Sequence, residues 1–231
     1  FMCYLVGGAV RNFIRGINPA DYDFATDALP EDVIKLFRSV IPTGIDHGTV
    51  TVLFHGFSLE VTTFRIDGVY TNSRHPDSIQ YSSSIDADLA RRDFTINAMA
   101  LDPLTGKILD PQDGLKDLKN RIIRAIGNPQ ERFAEDGLRV LRACRFASQL
   151  GFEIHGDTLN GIKMEAHRLR LISAERIRDE IIKILLSDKP STAFFIMKET
   201  GVLEYIIPEL LEGSGVAQRE MHKFDVFEHA L

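Results

Sequence analysis

Cysteine, long apolar runs and a basic excess are what this 231-residue chain has least of. The only cysteines, Cys3 and Cys144, stand far apart without metal-ligand spacing. That excludes a disulfide framework and a zinc centre, and leaves reduced, buried thiols as the expectation. No apolar run approaches the ~18 residues of a membrane span, and no charged-then-apolar leader opens the chain. No membrane partner is expected, and the cytoplasm is the expected location. The formal net charge of −6 argues against a general polyanion binder, because neutralising phosphates takes clustered lysine and arginine. Any RNA contact must come from local basic patches. Internal repeats and low-complexity tracts are absent, and nothing specifies an oligomeric state.

What is there is enough apolar residue, 44%, for a sizeable core in one large or two modest domains. Residues 1–6 read as a strand already under way and 226–231 as a helix cut short, so the chain reads as part of something longer. Short apolar runs end in turns: residues 4–6 before Gly7-Gly8, 49–54 before His55-Gly56, and then 58–64. These predict strands, the last two forming a hairpin. Residues 30–37 have helical spacing behind Pro30. Turn residues crowd the stretch 102–129, which marks a domain margin. Beyond it, helical periodicity covers 131–150, 157–168 and 173–187 and resumes at Ser191. The architecture expected is α+β: a small mixed α/β head over 1–115, an all-α neck over 116–187, and the start of a helical body over 188–231.

In Asp21-Tyr22-Asp23-Phe24 two aspartates lie two apart in a strand-like segment, so both project from one face. Paired carboxylates can hold magnesium, which takes a few carboxylate oxygens together with phosphates and water, and such ions serve phosphoryl transfer. Alone, the pair also fits a solvated turn. Upstream, Gly7-Gly8 separates a strand from a helix-like run, where glycines let backbone amides approach a triphosphate and a helix start favours negative charge. Glu60, mid-strand between Leu59 and Val61, fits either a third member that completes the metal cluster or orients an attacking hydroxyl, or an ordinary outward-facing glutamate. Arg91 and Arg92, read as a strand start ahead of Asp93, suit triphosphate or ribose contact.

Three segments carry a resemblance: residues 5–11 with Gly7-Gly8 and Arg11, residues 21–26 with Asp21-Tyr22-Asp23, and residues 91–98 with Arg91-Arg92-Asp93. Together they resemble the head motifs of class II tRNA nucleotidyltransferases and bacterial poly(A) polymerases. The likeness continues through Asp110-Pro111, Gly114-Leu115-Lys116-Asp117-Leu118, Glu135-Asp136-Gly137-Leu138-Arg139 and Glu175-Arg176-Ile177, nearly the whole chain. One departure is Asn12, where the family commonly has aspartate. The resemblance implies a polymerase-β-like head, magnesium on Asp21 and Asp23, CTP and ATP as substrates and the tRNA 3′ end as partner. It also associates Arg91-Arg92-Asp93 with ribose recognition and Arg176 with the nucleotide. The polar stretch from Arg65 to Asp77 reads as a mobile loop. The resemblance links such a loop to the switch from C to A addition, and its full length favours complete CCA addition.

Residues 131–150 read as one long helix on which Asp136 and Arg139 are neighbours at i and i+3, with Glu135, Arg139 and Arg142 in an adjacent row. An exposed salt-bridge ladder explains this pattern. So does base reading: cytosine and adenine each present an exocyclic amine donor beside a ring-nitrogen acceptor, which an aspartate and an arginine match. Uracil and guanine present the opposite sense. The resemblance favours base reading by Glu135, Asp136 and Arg139. At the end, His222, Asp225 and His229 have helical metal-ligand spacing, but a plain surface face is the reading preferred. The function expected is template-independent addition of C and A to tRNA. The alternatives are a poly(A) polymerase, a CC-only or A-only enzyme, and a non-catalytic nucleotide- or RNA-binding module.

Overall fold

The computed structural model describes residues 1–19, 21–67, 79–216, 225–229 and 231. They form two compact units, one ending at Asn120 and the other beginning at Arg121.

The first unit runs β1 (Cys3–Val6), α1 (Gly8–Ile14), β2 (Tyr22–Thr26), α2 (Pro30–Leu36), β3 (Val40–Gly44), β4 (Thr49–Phe54) and β5 (Phe57–Thr63). It continues with β6 (Arg65–Asp67), β7 (Ile79–Tyr81), α3 (Ile85–Ala90), β8 (Ala100–Leu101), β9 (Ile108–Leu109) and α4 (Gly114–Asn120). Seven strands make one sheet in the order β3-β4-β5-β2-β1-β8-β9. The β4–β5 hairpin closes through His55 and Gly56, whose φ values of 47° and 85° are both left-handed, as a two-residue I′ turn requires. On one face of this hairpin Val50 and Val52 are buried with Ala28 and Val33 from around α2, and Val40, Leu59 and Val61 pack against them. Period-two alternation therefore turns Thr51 and Glu60 to the opposite face. Residues 65–67, expected to begin a loop, are instead a strand paired antiparallel with β7, and Arg65 donates to the His47 carbonyl at 2.6 Å. The remainder of that expected loop lies outside the described residues.

Helix α4 is pinned by its first turn. Asp110 accepts from the amides of Gly114 and Leu115 at 2.7 and 2.9 Å, and Asp117 accepts from the Thr95 hydroxyl at 2.8 Å. The approach is so close that a Cβ on Gly114 would overlap the Thr95 carbonyl oxygen and sit 3.0 Å from Met99 Cγ. Gly114→Ala is therefore expected to destabilise the protein by about 1–3 kcal/mol through overpacking. Urea denaturation with an unchanged slope and a lower midpoint would show this, and an unchanged midpoint would mean that the turn yields without cost.

The second unit contains β10 (Ile122–Ile123), α5 (Pro129–Glu135), α6 (Leu138–Leu150), β11 (Glu153–Ile154), α7 (Gly156–Glu165), α8 (Ala174–Leu185), α9 (Pro190–Glu199), α10 (Glu209–Glu212) and α11 (Val226–His229). Apart from the short parallel pair β10–β11 it is helical. The single helix expected over 131–150 is two. Asp136 takes an extended conformation (φ −143°, ψ 105°), which ends α5, and α6 restarts after Gly137. A Cβ on Gly137 would lie 2.9 Å from Arg168 Cβ, so the joint packs too tightly for a side chain. Buried Arg145 on α6 pairs with buried Glu180 on α8 at 2.7 Å. Cys144 is buried, which pushes its thiol up to about 12, whereas Cys3 is exposed at the head of β1, so only one of the two expected buried thiols is buried. Among the described residues no helix is long and apolar enough to cross a membrane. His222 lies outside the described residues, and among those described no three histidine, cysteine or acidic side chains gather as a metal site.

Candidate active site

In the head, sheet register brings carboxylates from separate strands together. β2 pairs parallel with β5, placing Asp23 opposite Glu60, and antiparallel with β1, placing Asp23 opposite Val6. Directly opposed residues share a face, so Asp23 and Glu60 stand side by side away from the apolar core. Asp21 lies exposed, just ahead of β2. Burial chiefly, opposed by Arg92 and reinforced by Asp21, pushes the Asp23 carboxyl above the usual range. Burial followed by repulsion from Asp23 and Asp21 does the same to Glu60. Crowding and burial disfavour the charged form of both carboxyls, and a cation between them would favour it. They line a cavity of about 210 Å³ with Val6, Phe24, Thr62, Arg91 and Arg92.

The chemistry of the lining suits a hard cation that shares its shell with phosphate and water, since Asp23 and Glu60 offer carboxylate oxygens, Asp21 stands just ahead of β2, and none of the described lining residues is a soft ligand. Glu60 does not complete a three-residue cluster, as no three such groups converge among the described residues. It stands beside Asp23 across the β2–β5 pairing.

Gly7 closes β1 at φ 68°, a conformation that only glycine adopts without strain. A Cβ there would stand 3.1 Å from Arg92 Nη1 and 3.6 Å from Asp23 Oδ2, so Gly7 lies against both the cation and the anion of the site. Helix α1 has only seven residues, so the glycine amides and neighbouring arginines, rather than a helix dipole, make this corner attractive to phosphate. A Cβ on Gly8 would approach Arg11 Nη2 at 3.4 Å. Arg11 is buried and donates to Asn97 Oδ1 at 2.6 Å and to Asn12 Oδ1 at 3.1 and 3.2 Å. Asn12 thus accepts from the arginine beside it.

Arg91 and Arg92 do not begin a strand; Arg91 caps the C-terminus of α3. Beyond them, Asp93 Oδ1 accepts from the Phe94 amide at 2.8 Å and from Asn97 Nδ2 at 3.1 Å, closing a local turn. Asp88, one helical turn upstream, accepts from both arginines. Burial pulls its carboxyl up, but Arg91 and Arg92 together outweigh that and hold it low. No role was expected for Asp88 or Asn97, although Asp88 stands at i−3 and i−4 from the arginines, a spacing visible in the sequence.

In the second unit the proposed base readers are paired differently than expected. Asp136 meets Arg139 through the backbone, the Arg139 amide donating to the Asp136 carbonyl at 3.0 Å, while the Asp136 carboxylate is held elsewhere. It accepts from Arg176 Nη1 and Nη2 at 3.3 and 2.8 Å and from the Leu138 amide at 3.1 Å. Arg139 Nη1 donates to Glu135 and, at 2.8 Å, to the Arg132 carbonyl. Arg132 also pairs with Glu135 at 3.0 Å. The break at Asp136 and Gly137 is the cause, since i and i+3 adjacency holds only within a continuous helix. Arg142 lies over the Phe146 ring, 5.4 Å from its centre.

Residues 3–124 match the family model described as the Poly A polymerase head domain, and residues 151–213 the one described as "Probable RNA and SrmB- binding site of polymerase A". A CCA-adding enzyme of Ligilactobacillus salivarius is 48% identical over 205 residues, covering 89% of this chain and 50% of that protein. One from Anoxybacillus flavithermus is 45% identical over 207 residues, covering 90% and 52%. The crystal structure of the Bacillus stearothermophilus CCA-adding enzyme in complex with CTP matches with TM-score 0.82 and 43% identity, over 88% of this chain and 49% of that one. A tRNA nucleotidyltransferase complexed with a primer tRNA and an incoming ATP analog matches with TM-score 0.72 and 30% identity, over 94% and 61%. The chain spans about half the length of the curated relatives it matches. With the carboxylate face, the glycine corner and the arginine pair assembled on the matched head, the chain belongs to the family of CCA-adding enzymes and bacterial poly(A) polymerases that the Poly A polymerase head domain defines.

Proposed function

We propose that this chain is the catalytic part of a cytoplasmic enzyme that adds C and A to the 3′ end of tRNA without a template, using CTP, ATP and magnesium held by Asp21 and Asp23. The observation that carries the reading is the register pairing of Asp23 with Glu60 beside the Gly7 and Arg92 corner. The RNA 3′-oxygen bonds to the α-phosphorus as the bond from that phosphorus to pyrophosphate breaks. Bound magnesium would supply Lewis acidity at the α-phosphate and charge for the leaving oxygen. Asp21 and Asp23 would hold the ion, and Glu60 accepts the hydrogen bond of the attacking hydroxyl, whose proton passes to solvent. Gly7 and Gly8 amides with Arg91 and Arg92 bind the triphosphate and ribose, while Asp93, Asn97 and Arg11 fix the turn behind them. In the neck, Asp136 accepts from the exocyclic amine of C or A and Arg139 donates to the ring nitrogen. Arg176 and Glu135 hold these two readers in place, and Arg142 flanks them.

The test offers the protein tRNA lacking its 3′ end and, separately, oligo(A), with each nucleoside triphosphate in turn. The expected outcome is extension of the tRNA by C and then A, with no use of UTP or GTP. Extension of oligo(A) by ATP alone would identify a poly(A) polymerase, and nucleotide binding without pyrophosphate release would identify a binding module.

A further inference from the structure

Asp88 is fully buried on α3, yet it is charged, and its two oxygens go to different guanidinium groups. Oδ1 accepts from Arg91 Nε and Nη2 at 3.0 and 2.7 Å, and Oδ2 accepts from Arg92 Nη2 at 3.0 Å. One negative charge thus restrains two positive ones at the rim of the carboxylate cavity, both of which line it. Arg92 is the critical partner. Its Nη1 already lies against Gly7, whose other neighbour is Asp23 Oδ2, and its Nε is buried without a hydrogen-bond partner. Were the hold of Asp88 lost, Arg92 would face Asp23 and Glu60, the two carboxylates that line the same cavity. A guanidinium seated on Asp23 would occupy the oxygens that a divalent cation needs and would remove a donor from the triphosphate.

We propose that Asp88 is a positioning residue that divides its carboxylate between Arg91 and Arg92 and so keeps Arg92 off Asp23, leaving that carboxylate open to a divalent cation. The inference rests on the magnesium reading of Asp21 and Asp23. A buried charge is not retained without compensation, and the geometry here gives more than compensation: two Arg91 donors on one oxygen and one Arg92 donor on the other orient both arginines.

The test is Asp88→Asn, which keeps the shape and removes the charge, together with the double variant Asp88→Asn/Arg92→Gln. Manganese binding without nucleotide, read by electron paramagnetic resonance, is measured beside thermal melting. Asp88→Asn is expected to weaken manganese binding roughly tenfold, the factor that one charge-assisted hydrogen bond commands. The double variant is expected to regain the parent's manganese affinity while remaining poor in turnover, because the competing cation is gone but so is a phosphate donor. In turnover assays the single variant should show a raised magnesium requirement, with the rate largely recovered at saturating magnesium. Unchanged manganese affinity in Asp88→Asn, or no recovery in the double variant, overturns the proposal. So does a loss of fold common to both variants, which would make Asp88 structural. A parent protein that binds no manganese overturns the metal reading of Asp21 and Asp23 and this inference with it.

Discussion

Asp23→Asn is expected to lower incorporation of both CTP and ATP by roughly three orders of magnitude or more, the factor that corresponds to losing several kcal/mol of metal-borne charge stabilisation. Asp21→Asn should behave alike, because neither carboxylate alone offers a shared ion enough ligands. The fold should not suffer. Burial and the charge of Asp21 outweigh Arg92 and raise the Asp23 carboxyl in the folded state, so ionised Asp23 is a cost to folding. A raised acid favours the fold below its unfolded pKa and loses that advantage as pH rises through the folded value. At neutral pH the asparagine variant is thus expected to melt no lower than its parent, while at pH 3 the two should converge. Melting curves at both pH values, paired with single-turnover incorporation in magnesium, check this. Near-parental turnover would remove the metal assignment, and a large drop in melting temperature would mean that Asp23 supports the core instead.

The spacing of Asp21 and Asp23 is local and so legible in the sequence, but only Asp23 lies within β2 and lines the cavity, whereas Asp21 precedes the strand and is exposed. The β4–β5 hairpin was equally visible, because His55-Gly56 sits between two alternating runs. What the local pattern lacks is register between distant strands. Glu60 could be placed mid-strand, but its position opposite Asp23 depends on a parallel pairing across 37 residues, 60 minus 23, that no window of sequence contains. The helix break at Asp136 was missed for a related reason. Periodicity runs through residues 131–150 without interruption, whereas the tight packing of Gly137 against Arg168 involves another part of the chain. The charge of Arg91 and Arg92 is plain in the sequence and their order is not, since Asp88 holds them from the short helix α3.

The break reshapes the expectation for nucleotide choice. Were Asp136 and Arg139 paired to each other, either substitution would disturb the other reader directly. As built, each has its own anchor, Arg176 for Asp136 and Glu135 for Arg139, so the two should fail in different ways. Arg139→Ala and Asp136→Ala are each expected to cost about one to two orders of magnitude in incorporation efficiency, since each removes a charge-assisted bond of about 1.5–3 kcal/mol. Asp136→Asn carries the sharper consequence. Its amide offers a donor as well as an acceptor, so it can meet the carbonyl oxygen of uracil or guanine as readily as the amine of cytosine or adenine, and the preference against UTP and GTP should shrink. Arg176→Met, by contrast, leaves the polarity of Asp136 unchanged and removes only its anchor. It should slow C and A addition several-fold while UTP and GTP stay excluded. The efficiency kcat/KM for all four triphosphates, measured on tRNA lacking its 3′ end, separates these outcomes. If Asp136→Asn kept the parental preference while Arg176→Met lost it, discrimination would belong to the arginine, and the assignment of Asp136 as the acceptor of the exocyclic amine would be wrong.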